Sequence, residues 1–308
     1  MERLEYNSYG GPGVVRLAPF ELRAPLRNEV VVKVVAASIN PMDWKIRRGD
    51  MRMFTGFQFP RALGTDFAGV VEEVGSSVSR FVPGDAVIGT VTMKMSGAFA
   101  PRLISDQKLI VKKPATLTFG EGACLPIAAV TALLVLVKEA RLRRGQRVFV
   151  NGAMGSVGQA AVTLARSIGA DVVGRVGRGS TEQASSLGMS SVLDYREELP
   201  LSLQASFDVV FDCSGHLTAA EGVRLLRPGG KVFDIAPTSF KFLSALVWPS
   251  RKVVFSDPGS ANLQKVVDLA ARRELAIAIA RTVALAEVPS VMAALERGEI
   301  SGKTVVQL

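Results

Sequence analysis

The period of the hydrophobic positions changes along the chain. In the N-terminal third, apolar residues come in short runs of strand length: Val30–Ala36, Phe67–Val74 and Gly84–Gly89. Gly10-Gly11-Pro12-Gly13, Gly75-Ser76 and Pro83-Gly84-Asp85 separate them as turns. Strands at short intervals with few helical stretches predict a β-rich, barrel-like domain. From Glu121 to Val137 the pattern turns helical. Arg147–Val150 then reads as a buried parallel strand. Strand-like runs recur at Asp171–Val176, Ser191–Asp194, Phe207–Asp212 and Lys231–Ile235, with helical segments between most of them. Repeated strand–helix units predict a doubly wound parallel sheet with its ligand at the carboxyl ends of the strands. Asn262–Glu274 is amphipathic, and Gly302–Val306 reads as a last strand returning to the first domain.

The connection after Arg147–Val150 stands out. Asn151-Gly152 stops the strand, and Ala153, Gly155 and Gly158 follow at the spacing A-x-G-x-x-G. Ala161, Val162, Leu164, Ala165 and Ile168 then lie at helical spacing. Strand, tight glycine turn and helix make a dinucleotide fingerprint. One glycine lets a pyrophosphate reach the backbone, another lets the helix sit on the strand, and the helix N-terminus offers free N–H groups. Ala153, Gly155, Ser156, Val157 and Gly158 are the phosphate-facing candidates.

Composition narrows the function class. Length predicts about two domains, and the 48% of apolar residues is ample for two cores. No apolar run reaches the ~18–20 residues of a membrane span, and Met1-Glu-Arg-Leu-Glu lacks the apolar core of a signal peptide. With only two cysteines, Cys124 and Cys213, far apart, a disulfide framework or zinc knuckle is not expected, and the reading is cytoplasmic. The net charge of +9 is spread in short clusters such as Arg47-Arg48 and Arg272-Arg273. That pattern reads as a solvated basic surface rather than a specific nucleic-acid site. The apolar Lys241–Pro249 could touch a membrane, but reads better as a lid or dimer segment.

Several motifs in order bring a family into view: Asn40-Pro41-Met42-Asp43-Trp44-Lys45, Leu63-Gly64-Thr65-Asp66-Phe67-Ala68-Gly69, Gly97-Ala98-Phe99-Ala100, Asn151–Gly158, Asp194-Tyr195 and Gly302-Lys303. With them the chain resembles the zinc-free, quinone oxidoreductase-like branch of the medium-chain dehydrogenases/reductases. The resemblance implies an α/β fold, with a GroES-like β-rich barrel domain (residues 1–118 and 275–308) and a Rossmann doubly wound parallel sheet (residues 119–274). It also implies a homodimer. Zinc members carry Cys and His-Glu ligands where this chain has Asn40 and Thr65-Asp66, and the chain's one histidine, His216, lies elsewhere. Zinc asks for three or four Cys, His or carboxylate ligands, so no metal is expected.

The candidate catalytic residues are Asn40, Asp43 and Lys45. Asn40 is read as holding the nicotinamide ribose or a substrate carbonyl, and Lys45 as donating to a developing enolate oxygen. Plainer readings stand beside these: Asp43 caps a turn, Lys45 is solvated, and Asp66 is a structural carboxylate. The resemblance puts Thr131 near the carboxamide, Tyr195 near the adenosine and Lys303 among the cofactor contacts. Cys213 and Ile235 end strands at the ligand edge; Cys213 reads better as a packed residue than as a reactive thiol. The second Rossmann strand, Asp171–Val176, has its acid at the wrong end for a ribose, whereas Arg175 and Arg178 lie at the ligand end. Arginine pairs with phosphate, so the expected cofactor is NADPH. The expected reaction is hydride transfer to a quinone or α,β-unsaturated carbonyl. The alternative is a non-catalytic NADPH-binding protein held to a membrane surface or nucleic acid by its basic surface.

Overall fold

The computed structural model describes residues 1–177, 181–235 and 250–308. Arg178, Ala236 and the apolar segment 241–249 therefore lie outside the described residues. Two compact units form: one from Met1–Ile127, Pro258–Ala271 and Ile277–Leu308, the other from Ala128–Asp257 and Arg272–Ala276. Strands β1 (Glu2–Tyr6), β2 (Val15–Pro19), β3 (Glu29–Ser38), β4 (Arg61–Ala62), β5 (Asp66–Val74), β6 (Ala86–Thr90), β7 (Arg102–Asp106) and β8 (Ile110–Lys112) open the chain. Then follow β9 (Arg147–Asn151), β10 (Asp171–Val176), β11 (Ser191–Asp194), β12 (Phe207–Asp212), β13 (Leu226–Asp234) and β14 (Arg251–Val253). The last two are β15 (Ile279–Ala284) and β16 (Lys303–Gln307).

The first unit is the expected β-rich domain. Its larger sheet runs β15-β16-β3-β5-β6-β8, with β7 also on β3, and a smaller sheet runs β2-β1-β4. β3 is almost continuously buried because it is paired on several sides: β5, β7 and β16 all run antiparallel to it. The pairing Val305↔Ser38 and Val306↔Ala37 is the tail strand's return. Val32, Val34, Phe67, Val87, Ile110 and Val306 fill the core. The amphipathic helix Ser260–Ala271 packs against β8 and belongs to this unit. Its apolar stripe needs a face to cover, and nothing in the stripe itself says which face.

In the second unit all pairings are parallel and the strand order is β11-β10-β9-β12-β13-β14. Counted within the unit, this is the 3-2-1-4-5-6 order of a doubly wound dinucleotide-binding sheet. Phe149 and Phe207 meet edge to face at 5.4 Å in its core. The sixth strand, β14, is only three residues long and gives no readable pattern. The helical stretch expected over Glu121–Val137 is broken. One helix covers Phe119–Ala123, another starts at Pro126, and a wider π-type turn, Leu134–Glu139, follows Leu133. Pro126 has no N–H to continue a helix and keeps the residue before it out of helical geometry. Among the described residues no helix is long and apolar enough to cross a membrane.

The glycine turn explains its own composition. Gly152 has φ +82°, the left-handed region, and a Cβ on Gly158 would sit 2.2 Å from the Gly152 carbonyl oxygen. A Cβ on Gly155 would touch only that same oxygen, at 3.3 Å. Gly158→Val should therefore destabilise the protein by about 1–3 kcal/mol or more through overpacking, whereas Gly155→Ala should change stability by less than about 1 kcal/mol. Urea unfolding of the two variants checks this; equal loss in both would contradict the close approach at Gly158.

Candidate active site

At the carboxyl edge of its sheet the second unit places the glycine turn of the expected dinucleotide fingerprint. β9 delivers the chain to Gly152, and the helix Ser156–Ile168 begins at Gly155 in extended geometry with no side-chain cap. Its first N–H groups, those of Ser156, Val157 and Gly158, have no partner from the helix itself. They combine with the helix dipole to favour a phosphate. Ala153 is fully buried beneath the turn. The residues present thus fit a dinucleotide pyrophosphate.

Next to this turn lies a buried carboxylate that sequence reasoning passed over. Asp212, at the end of β12, is fully buried. Its Oδ1 accepts from Asn151 Nδ2 (2.9 Å), Ser214 Oγ (3.1 Å), Ser214 N (3.2 Å) and Gly215 N (2.9 Å). Its Oδ2 accepts from Leu217 N (3.1 Å). Asn151 also donates to Ser214 Oγ at 2.8 Å. The carboxylate winds the loop after β12 around itself and ties it to the end of β9. The readable signal was the turn-forming run Asp212-Cys213-Ser214-Gly215. Cys213, the residue singled out there, is half-buried, and burial followed by the Asp212 charge pushes its thiol well above the usual range. It is no ready nucleophile. His216 is exposed.

Arg175 lies at the end of β10 as expected. Its Nη2 donates to the carbonyls of Tyr195 (2.8 Å) and Glu197 (3.0 Å), so the guanidinium fastens the loop after β11. Tyr195 itself is exposed. Thr131 is buried in the helix Pro126–Leu133, and Ile235 is half-buried just past β13.

In the first unit, the helix Pro41–Arg48 carries the other candidates. Asp43 Oδ2 accepts the Asn40 backbone N–H (2.7 Å), closing the first turn. The Asn40 side chain turns inward: Nδ2 donates to Asp66 Oδ2 (3.0 Å) and Oδ1 accepts from Lys303 Nζ (2.7 Å). Lys303 also donates to the Ile39 carbonyl (3.3 Å), and Ile127 N donates to Asp66 Oδ2 (3.1 Å). Thr65 Oγ1 lies 3.4 Å from Asp43 Oδ1. All of these polar side chains are buried, Lys303 to 1% exposure. Asn40, Asp43 and Lys303 are thus brought together with Asp66 in one internal network. Lys45 is apart from it: half-exposed in the last helical turn, with no side-chain hydrogen bond or ion pair among the described residues. The helix is held from behind by Arg47, fully buried, which donates to Glu296 Oε2 at 2.6 Å.

Burial pushes the Asp43 carboxyl up to about 7, opposed by the Asn40 N–H; Asp66 adds to the rise and Lys303 opposes it. Burial likewise pushes Asp66 up to about 6 against the pull of Lys303. Among the described residues no three His, Cys, Asp or Glu side chains converge as metal ligands.

Comparison with known proteins places these features. Residues 26–116 match the alcohol dehydrogenase GroES-like domain and residues 187–306 match a domain described as zinc-binding dehydrogenase. Over its whole length the chain is 32% identical to the chloroplast envelope quinone oxidoreductase homolog of Arabidopsis thaliana, covering 98% of it. The chain belongs to the quinone oxidoreductase-like branch of the medium-chain dehydrogenases/reductases. A second Arabidopsis thaliana family member, NADPH-dependent alkenal/one oxidoreductase, is 32% identical over 79% of this chain and 65% of its own length. The quinone oxidoreductase structure from Coxiella burnetii superposes with a TM-score of 0.92 at 26% identity, covering 100% of this chain and 99% of that one.

For this family member the raised carboxyls fix a sign. Asp43 goes from 3.8 to about 7 on folding, so between about pH 4 and 7 the folded state holds more protons than the unfolded chain. Stability from this group is therefore greatest at acid pH and declines as pH rises to 7, by at most ~1.4 kcal/mol per pH unit. Asp43→Asn lacks that titration. Its unfolding free energy relative to wild type should rise between about pH 4 and 7 and level off above. A pH-independent difference between the two proteins would contradict the assignment.

Proposed function

We propose that the protein is an NADPH-dependent, zinc-independent reductase that transfers hydride to a quinone or to the β-carbon of an α,β-unsaturated carbonyl. The observation that carries this reading is the uncapped helix N-terminus behind the Gly152–Gly158 turn, beside a β10 whose ligand end, Arg175-Val176-Gly177, has no carboxylate. Family membership supports the same chemistry: relatives are named for quinone and for alkenal/one substrates.

Ser156, Val157 and Gly158 would hold the pyrophosphate through their N–H groups, with Gly155 giving it access. Arg178 would take the 2′-phosphate as the main contact and Arg175 as the second. Thr131, Tyr195, Cys213, Ile235 and Lys303 complete the proposed cofactor contacts, Lys303 acting from inside through Asn40. When bound, NADPH supplies the hydride. The metal-ligand chemistry of the family's zinc enzymes does not fit this chain: Asn40 and Thr65-Asp66 stand at the ligand motifs, and their side chains bond one another's network. Without a metal to polarise an alcohol or simple carbonyl, the acceptor must already be electrophilic. Asn40 and Asp43 shape the helix start, and Lys45 donates a hydrogen bond, then a proton, to the acceptor oxygen as charge develops there.

NADPH oxidation against a panel of quinones, enals, enones and simple aldehydes, with NADP+ reduction by simple alcohols measured alongside, tests the reading. Turnover should be confined to quinones and conjugated carbonyls, with kcat/KM for NADPH well above that for NADH. Arg175→Ala/Arg178→Ala should erase that preference. Lys45→Ala should lower kcat by more than about tenfold, within the range seen when an oxyanion donor is lost. Tight NADPH binding with no turnover would favour the non-catalytic alternative, and turnover of simple alcohols alone would overturn the proposed acceptor class.

A further inference from the structure

Two loops of the first unit are pinned together from the inside. Arg61 is buried; its Nη1 donates to the carbonyls of Thr55 (2.8 Å) and Gln58 (3.5 Å), and its Nη2 to that of Met93 (3.3 Å). The Tyr9 hydroxyl bonds Thr55 Oγ1 (3.1 Å) and donates to the Gly56 carbonyl. The Phe59 ring packs on edge against Tyr6 and Tyr9, at 5.9 and 5.1 Å. The backbone of residues 51–61 is therefore anchored beside the loop that holds Met93. Three of its large apolar side chains nevertheless face water: Met53 is 83% exposed, Phe54 67% and Phe57 68%; so does Met95 on the second loop, at 53%. Scattered exposed apolar residues are ordinary, but four on one anchored pair of loops form a patch.

The charge of that patch has one sign. Residues 51–65 and 91–105 contain no Asp or Glu. Arg52 and Lys94 are exposed beside the apolar tips, with no ion pair among the described residues. The chain as a whole carries +9. We propose that these two loops dock on an anionic lipid surface: Met53, Phe54, Phe57 and Met95 enter the headgroup–acyl boundary while Arg52 and Lys94 meet lipid phosphates. Apolar tips joined to unpaired cations are the makeup of an interfacial anchor. Single-stranded nucleic acid asks instead for a succession of stacking rings along a basic groove, and half of this patch is methionine. The proposal does not rest on the reductase reading.

Co-sedimentation of the full-length protein with phosphatidylcholine/phosphatidylglycerol vesicles, and with phosphatidylcholine alone, tests it. Binding is expected to the anionic vesicles. Met53→Ser/Phe54→Ser/Phe57→Ser should lower the partition coefficient at least about tenfold, and Arg52→Gln/Lys94→Gln about thirtyfold. Arg272→Gln/Arg273→Gln, a basic pair elsewhere, should match wild type. Phe54→Trp should shift its emission to the blue on anionic vesicles, a readout that needs no loss of binding. Four results would overturn the proposal: wild type that does not sediment; a triple variant that partitions normally; the same substitutions abolishing binding to an RNA oligonucleotide but not to vesicles; or a raised KM for the acceptor as their only effect, which would make the loops a substrate lip.

Discussion

A lysine ammonium cut off from water must recover its hydrogen bonds from the protein. Lys303 does so from Asn40 Oδ1 and the Ile39 carbonyl. That requirement draws the last strand to the start of the helix Pro41–Arg48, and the Asn40 amide relays it to Asp66 and so to Ile127. The first unit is thereby closed through one interior network whose members come from β16, β5, the segment after β3 and the end of the unit's first chain piece. Its charges are set by burial and by one another. Burial pushes both carboxyls up, Asp43 to about 7 and Asp66 to about 6, and the Lys303 ammonium opposes each rise. Were Lys303 apolar, both carboxyls would be driven further toward the protonated form, and Asn40 would lose the partner that holds its amide.

Much of the fold was legible because its signals are local. The glycine turn after Arg147–Val150, the five longer Rossmann strands and the strands Val30–Ala36 and Phe67–Val74 each show within a short window. So does the tail strand. The failures were non-local or too short to carry a period. β14 spans three residues, and the helix break after Ala123 depended on one proline inside an apolar run. The allegiance of the helix Ser260–Ala271 to β8 is a choice between two apolar faces, and periodicity says nothing about it.

The site divides the same way. Asn40, Asp43 and Lys303 were found as separate motif residues, but their mutual bonds span more than 260 positions between Asn40 and Lys303, which no local pattern encodes. Asp66 was read as a structural carboxylate accepting backbone N–H bonds, and it does accept one, from Ile127 N. Asp212 was missed because a carboxylate at a strand end looks like any turn residue until it is seen buried. Cys213 drew attention in its place, since a thiol is a chemically conspicuous residue and an aspartate in a turn is not.

This contrast follows from the kind of atom on which each arrangement depends. A pyrophosphate is bound by backbone N–H groups, which every residue has, so the constraint falls on where a Cβ is forbidden. Gly158, with no room for one, and Gly152, at φ +82°, record that constraint directly. The first unit works instead through side chains bonded to side chains, where Asn, Asp and Lys can exchange roles as long as donors and acceptors balance. A glycine pattern is therefore fixed position by position by geometry, whereas a polar network is constrained only in its sum of donors and acceptors. The glycine turn is written in single positions of the sequence; the arrangement around Asn40 emerges only once strands from both ends of the chain have paired.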